Sequence, residues 1–191
     1  FQPGVTLSGA GIALNLASIA GSAGGVWQAV NGKINSVIVR KNLTTDITAG
    51  SLGSLTVMGS LNGSAITAQT LSTLSVTGSA DNLTLTLQAP YSVLSTALTL
   101  LNVRGWLRNS VISALGTIGT VMAGGMDNTD ITVGLIGLPL PGQASDFFVG
   151  NNGTIRAVIV SGMRQGTSFI DSFIASNIVA PNLGSVTTSY V

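Results

Sequence analysis

The sequence predicts an all-β, single-stranded parallel β-helix with rungs of about 18–20 residues and two loop insertions. Three observations predict it: an internal repeat of solenoid length, short alternating apolar segments inside each copy, and very little charge. The clearest copy is LGSLTVMGSLNGSAITA, which sets Leu52, Leu55, Val57, Gly59, Leu61, Ser64, Ile66 and Ala68 in the pattern LxxLxVxGxLxxSxIxA. A second copy, LTLLNVRGWLRNSVISA, matches at every one of those positions with Leu98, Leu101, Val103, Gly105, Leu107, Ser110, Ile112 and Ala114.

Looser copies start at Ile34, Leu71, Ile118, Ile155 and Leu183. The steps Ile34 to Leu52, Leu52 to Leu71 and Leu98 to Ile118 are 18, 19 and 20 residues. Within a copy, LxV and IxA alternate as short strands do, and Gly, Ser, Asn or Asp ends each one. Such a rung cannot bury its own apolar side chains, so it must stack in parallel on the next, aliphatic over aliphatic. A left-handed hexapeptide helix fails the test of spacing, because Leu52 is followed at six-residue steps by Met58, Ser64 and Thr70.

Taken in order, residues 1–33 follow no clear copy and form an irregular N-terminal cap or assembly segment. GIALNLASIAGSAGGVWQAV has a loose helical spacing, so a short capping helix and an irregular first rung are both open. Residues 34–191 form the solenoid, with insertions near 88–97 and 134–154. The first lengthens the step from Leu71 to Leu98 to 27 residues. The second lengthens Ile118 to Ile155 to 37, room for one degenerate rung plus a loop. The last copy reaches Val191 about halfway through a rung, so the chain is cut from a longer solenoid or another molecule completes that rung.

Composition narrows the function. The 191 residues suit one domain, and only 7% are charged against roughly 25% in an ordinary soluble domain. Ser, Thr, Asn and Gly take the place of charge. A net charge of +1 with scattered Arg and Lys argues against nucleic acid and permits self-association. There is no Cys, which excludes disulfides, thiolate metal sites and Cys nucleophiles. The chain begins at Phe1, as a processed product would. Long uncharged runs such as Ile47 to Ala80 alternate with period two and are interrupted by Gly, Ser and Thr, so no membrane span is expected.

The repeat residues resemble the right-handed parallel β-helix of secreted bacterial surface proteins, the group that includes filamentous haemagglutinin-like adhesins and autotransporter passengers. The nearest likeness is to LGSLxVxGxLxGSxI repeats of large cell-surface proteins in some environmental bacteria, and it covers most of Ile34 to Val191. The resemblance implies a right-handed coil and an extracellular or cell-surface location.

Chemistry is sparse. With no His and no Glu, acid/base work would fall on Asp46, Asp81, Asp127, Asp130, Asp146 and Asp171. Asp46 and Asp130 lie twelve residues after their copy starts, where Ser64 and Ser110 sit in other copies, and read as turn residues bonding backbone N–H groups. MDNTD, residues 126–130, holds two carboxylates but no bidentate Glu, so no metal is assigned. No cofactor motif occurs, and no Ser has a His to activate it. Sequons at Asn42, Asn62, Asn82 and Asn152 are what an Asn-, Ser- and Thr-rich chain produces by chance.

Partner contacts are the remaining candidates. Arg40 and Arg104 share a position six residues after their copy starts, with Met58 and Thr77 between. Arg104, Trp106 and Arg108 alternate, which puts them on one face of an extended segment. The Trp either stands exposed to stack on a glycan or a partner protein, or folds over an adjacent rung. Phe147 and Phe148, in the second insertion, either anchor that loop or reach a neighbouring subunit. The expected function is a non-enzymatic structural subunit that stacks end to end into a filament, matrix or surface layer. A carbohydrate-binding or carbohydrate-cleaving β-helix is the alternative. An ice-binding solenoid ranks last, since TxT occurs clearly only at Thr84 and Thr86.

Overall fold

Alternation within each copy makes strands, and the Gly, Ser and Asn between them make corners. The computed structural model describes residues 3–89, 95–134 and 153–189, and every regular element among them is a strand. The order opens with β1 (Val5–Thr6), β2 (Gly11–Ile19), β3 (Val26–Val39), β4 (Asp46–Val57), β5 (Leu61–Asn62) and β6 (Ala65–Val76). It continues with β7 (Ala80–Asp81), β8 (Thr84–Leu87), β9 (Thr96–Arg108), β10 (Val111–Ala114), β11 (Thr117–Asp127) and β12 (Asp130–Val133). It closes with β13 (Thr154–Val160), β14 (Met163–Gln165), β15 (Ser168–Ile170), β16 (Phe173–Ile174), β17 (Asn177–Val179) and β18 (Asn182–Thr188).

All but β14 and β15 belong to one nearly closed parallel sheet wound in successive coils, the arrangement of a β-solenoid. Leu14, Ile34, Leu52, Leu71, Leu98, Ile118, Ile155 and Leu183 form one column, each in register with the next. Beside it run Ala17, Val37, Leu55, Leu74, Leu101, Val121, Val158 and Val186. Across the coil stand Trp27, Ile47, Ile66, Leu85, Ile112, Ile131 and Ile178. In the coil of Leu52, the side chains of Leu52, Leu55, Val57, Leu61 and Ile66 are at most 1% exposed. Each such aliphatic side chain contributes about 1.5–3 kcal/mol when buried.

Each of the seven expected copy starts lies in that first column. Two alternatives left open by the sequence are decided, the first in favour of an irregular first rung, and one feature is new. The capping helix considered for residues 1–33 is not formed: β2 pairs with β3 from Gly11↔Gly32 to Ile19↔Val39, so Leu14 begins an additional coil. A register shift between Ile12 and Leu14 disguises the repeat there. No degenerate rung separates Ile118 from Ile155, because these two residues are direct register partners. A further insertion went unforeseen: the 28-residue step from Ile155 to Leu183 contains the antiparallel hairpin β14–β15, which turns at Gly166 (φ +64°). Residues 90–94 and 135–152, half of the first expected insertion and most of the second, lie outside the described residues.

Corners follow their own columns. Gly63, Asn82, Asn109, Asn128 and Ala175 share one turn position at φ 62°, 54°, 48°, 47° and 44°. Asn visits this left-handed region at low cost, and Asn128 Nδ2 also donates to Asn109 Oδ1 at 2.9 Å. Gly59, Gly78 and Gly105 form a second turn column, where consecutive backbones touch. A Cβ on Gly78 would stand 2.8 Å from the Gly59 carbonyl oxygen, and one on Gly105 would stand 2.8 Å from that of Gly78. Gly78→Ala should therefore cost about 1–3 kcal/mol by overpacking, whereas Gly63→Asn should stay within about 0.5 kcal/mol of the parent. Urea unfolding of both variants checks the contrast.

Just inside the Asn turn runs a buried polar column. Thr129 Oγ1 donates to the carbonyls of Leu107 at 3.0 Å and Asp127 at 3.1 Å. Ser110 Oγ donates to Arg108 O at 2.7 Å and accepts from Leu83 N at 3.1 Å. Thr45 Oγ1 and Ser64 Oγ are equally buried but have no hydrogen-bond partner. A buried hydroxyl without a partner costs about 1–3 kcal/mol, while a typical formed hydrogen bond contributes about 1. Thr45→Val is thus expected to raise unfolding stability by about 1 kcal/mol and Thr129→Val to lower it by a similar amount. Equal and opposite shifts in the denaturation midpoint are the signature; a loss in both would contradict the account.

Candidate functional site

The turn after each LxV strand repeats a small device. Ser22 Oγ, Asn42 Oδ1, Ser60 Oγ and Ser79 Oγ each accept the backbone N–H of the corresponding residue one coil onward, Asn42, Ser60, Ser79 and Trp106, at 3.4, 3.0, 3.3 and 3.1 Å. Trp106 therefore occupies a position that earlier coils give to Ser or Asn. The next coil makes room with Gly125, paired to Trp106 in the register. A Cβ on Gly125 would meet the indole at 2.5–2.6 Å, so the ring lies directly over that glycine's backbone.

Of the two placements open to Trp106, this is the one folded over an adjacent rung, and Arg104, Trp106 and Arg108 do not share the one face that strict alternation implies. Alternation holds only along a straight strand, and the chain turns at Gly105 while β9 carries one extra residue relative to β11 between Val103↔Ala123 and Trp106↔Gly125. Arg104 points to solvent before the turn; Trp106, after it, is only 9% exposed. Arg108 folds back, with its guanidinium carbon 4.4 Å from the Trp106 ring centroid and Nε 3.9 Å from Asp127 Oδ2. The ion pair is about 40% exposed and too long for a hydrogen bond, so it adds little, and the cation–π contact closes the lid over the indole.

Arg40, Met58, Thr77 and Arg104 do form one outward column, as expected, and each is exposed. Three coil spacings, roughly 14 Å, separate the two arginines. Arg104 lines a shallow depression of about 320 Å³ with Asn102, Met122, Gly124, Ser161 and Gly162. Another of about 360 Å³ lies at a different corner, by Gly11, Val30, Asn31, Lys33 and Gln69. No aspartate lines either. Phe147 and Phe148 lie outside the described residues.

The carboxylates are dispersed. Asp46 Oδ1 accepts the Ala65 N–H at 2.8 Å, the turn role expected of it, and Asp130 Oδ1 accepts from Asn177 Nδ2 at 2.7 Å. Asp46 and Asp130 share a column with Ala65, Thr84 and Val111. They are not level with Ser64 and Ser110, whose side chains sit one position earlier and point inward. The Asn turn and the extra residue in β9 each displace the count by one. Among the described residues no three acidic side chains gather as a metal site would require. Sequence reading also missed a row of Thr48, Thr67, Thr86, Ser113 and Thr132, the middle residues of successive IxA segments, which the repeat pattern leaves as x; the first four are half-buried and Thr132 is buried.

The chain matches no protein-family model, no curated protein and no solved structure. Geometry alone therefore weighs the candidates. Trp106→Ala should cost about 3–5 kcal/mol because it empties the space between Gly125 and Arg108, while Arg104→Ala should change stability by less than about 0.5 kcal/mol. Thermal and urea unfolding distinguish this packing role from a recognition role, in which Trp106→Ala would leave stability intact.

Proposed function

We propose that the chain is a non-enzymatic structural subunit, an extracellular β-solenoid that stacks end to end into a filament, matrix or surface layer. A right-handed coil and a cell-surface location follow from its likeness to secreted bacterial surface repeats. Support comes first from the end coils. Leu183 and Val186, in columns whose interior members are 0–1% exposed, are 46% and 44% exposed. The strand that bears them, β18, pairs only with β13, and β2 pairs only with β3 among the described residues.

Unpaired edges are templates for another chain, and charge, Pro or bulges ordinarily protect them. Here the seven Lys and Arg and the six Asp all lie from Lys33 to Asp171, so neither β2 nor β18 carries a charge. Supporting the non-enzymatic reading, the chain has no His, Glu or Cys, and the carboxylates of Asp46, Asp127 and Asp130 are engaged in separate structural contacts.

Negative-stain electron microscopy of native material over a range of concentrations should show filaments or sheets. Val186→Lys places a charge in the apolar column at the edge, where burying it unpaired costs several kcal/mol. The concentration needed for assembly should then rise at least about tenfold with the circular dichroism of the fold unchanged. Rods that stay monomeric at every concentration would overturn the reading.

A further inference from the structure

Resting on that reading, we infer that copies join head to tail in one fixed register, with β18 of one copy hydrogen-bonded in parallel to β2 of the next and β17 set against β1. The seam thereby becomes one more interior coil junction.

The columns specify the register. Following partners through the stack, Leu183 descends from Leu14, Val186 from Ala17 and Thr188 from Ile19. Ile178 belongs to the column of Trp27, whose other partner is Val5. Continuing each column across the seam puts Leu183 on Leu14, Val186 on Ala17, Thr188 on Ile19 and Ile178 on Val5. Within the molecule the same columns already stack Ile34 on Leu14, Val37 on Ala17 and Val39 on Ile19. The two ends thus offer the same kinds of side chain, at the same spacing, that pair inside the coil.

A shift by one residue would send Leu183 and Val186 to the outside. A shift by two would set Leu183 against the outward-facing Leu16 rather than Leu14. Tail-to-tail contact would run the strands antiparallel and break every column. The uncharged edges put no repulsion against the head-to-tail junction, and half-buried Leu14, Ala17 and Ile19 gain cover from it. The seam adds the eight coils of one copy per step, an axial repeat of about 38 Å at about 4.8 Å per coil.

Because the chain contains no cysteine, paired cysteines report the register without background. Ser18 and Thr187 are exposed members of one outward column, and Leu16 and Ser185 of another. In-register parallel partners lie about 4.8 Å apart at Cα, within disulfide range, whereas a two-residue offset places them about 8 Å apart, beyond it. Mild oxidation of assembled Ser18→Cys/Thr187→Cys full chain should give a ladder of covalent oligomers on a non-reducing gel, collapsing to monomer on reduction. Leu16→Cys/Ser185→Cys should do the same and serves if the first pair fails to fold. The offset pair Leu16→Cys/Thr187→Cys and the single variants should give no ladder.

Filaments that form without a ladder from either in-register pair, or that crosslink efficiently through Thr187→Cys alone, overturn the register while leaving assembly standing. Parent chain that never assembles removes both the register and the reading beneath it, and assigns the edges to a different occupant.

Discussion

The parallel backbone ladder, with about 4.8 Å between coils, governs everything else in this molecule. It places each residue directly above its counterpart, so every position of the coil must suit itself in repetition. Aliphatic side chains meet that demand at no electrostatic cost, and the core becomes columns of Leu, Ile and Val. Like charges do not: two unit charges at that spacing repel by about 1 kcal/mol even in bulk water, and by more where neighbours exclude it. The poverty in charge thus follows from the fold.

Where charges do occur, the register separates or alternates them. Met58 and Thr77 stand between Arg40 and Arg104, and Ala65, Thr84 and Val111 between Asp46 and Asp130. Arg108 is flanked in its column by Asp81 on one side and Asp127 on the other. Neutral polar groups take the remaining outer positions because they can donate and accept along the stack. Asn35 donates to Asn15 at 2.8 Å, and Ser54 to Ser36 at 3.0 Å.

The same constraint decides what the sequence could reveal. A core position repeats its residue class in every coil, so the column from Ile34 to Leu183 was legible from LxxLxV alone. Single-residue insertions at turns were not. The left-handed position filled by Gly63, Asn82 and Asn109 is skipped between Leu43 and Ile47, which moves Asp46 out of line with Ser64. β11 likewise lacks one residue between Ala123 and Gly125 relative to β9, which moves Asp130 out of line with Ser110, and the turn at Gly105 hides the burial of Trp106. β2 was obscured because Ile12, Leu14, Leu16, Ala17 and Ile19 mix outward and inward apolar residues, and a helix can be drawn through the same set. The hairpin β14–β15 pairs antiparallel and only with itself, so no stacking rule touches it.

A coil held together this way has no internal stopping rule. Each interior coil is stabilised by two neighbours and each end coil by one, so an uncovered end is the weakest part of the stack. The column pattern persists into the first and last described coils: β2 retains Leu14, Ala17 and Ile19 in their columns, and β18 retains Leu183 and Val186. Corner devices persist there too, since Ser22 accepts from the second coil as Ser60 does from the fourth. In the proposed assembly, the junction that orders the weakest coils is the one that joins subunits, so folding of the ends and growth of the polymer become a single event. Such coupling makes the end coils of a free subunit the first to open and makes polymer ends the least protected part of a filament. Stability and assembly would then respond together to any change in β2 or β18, and independently to changes in the middle of the stack.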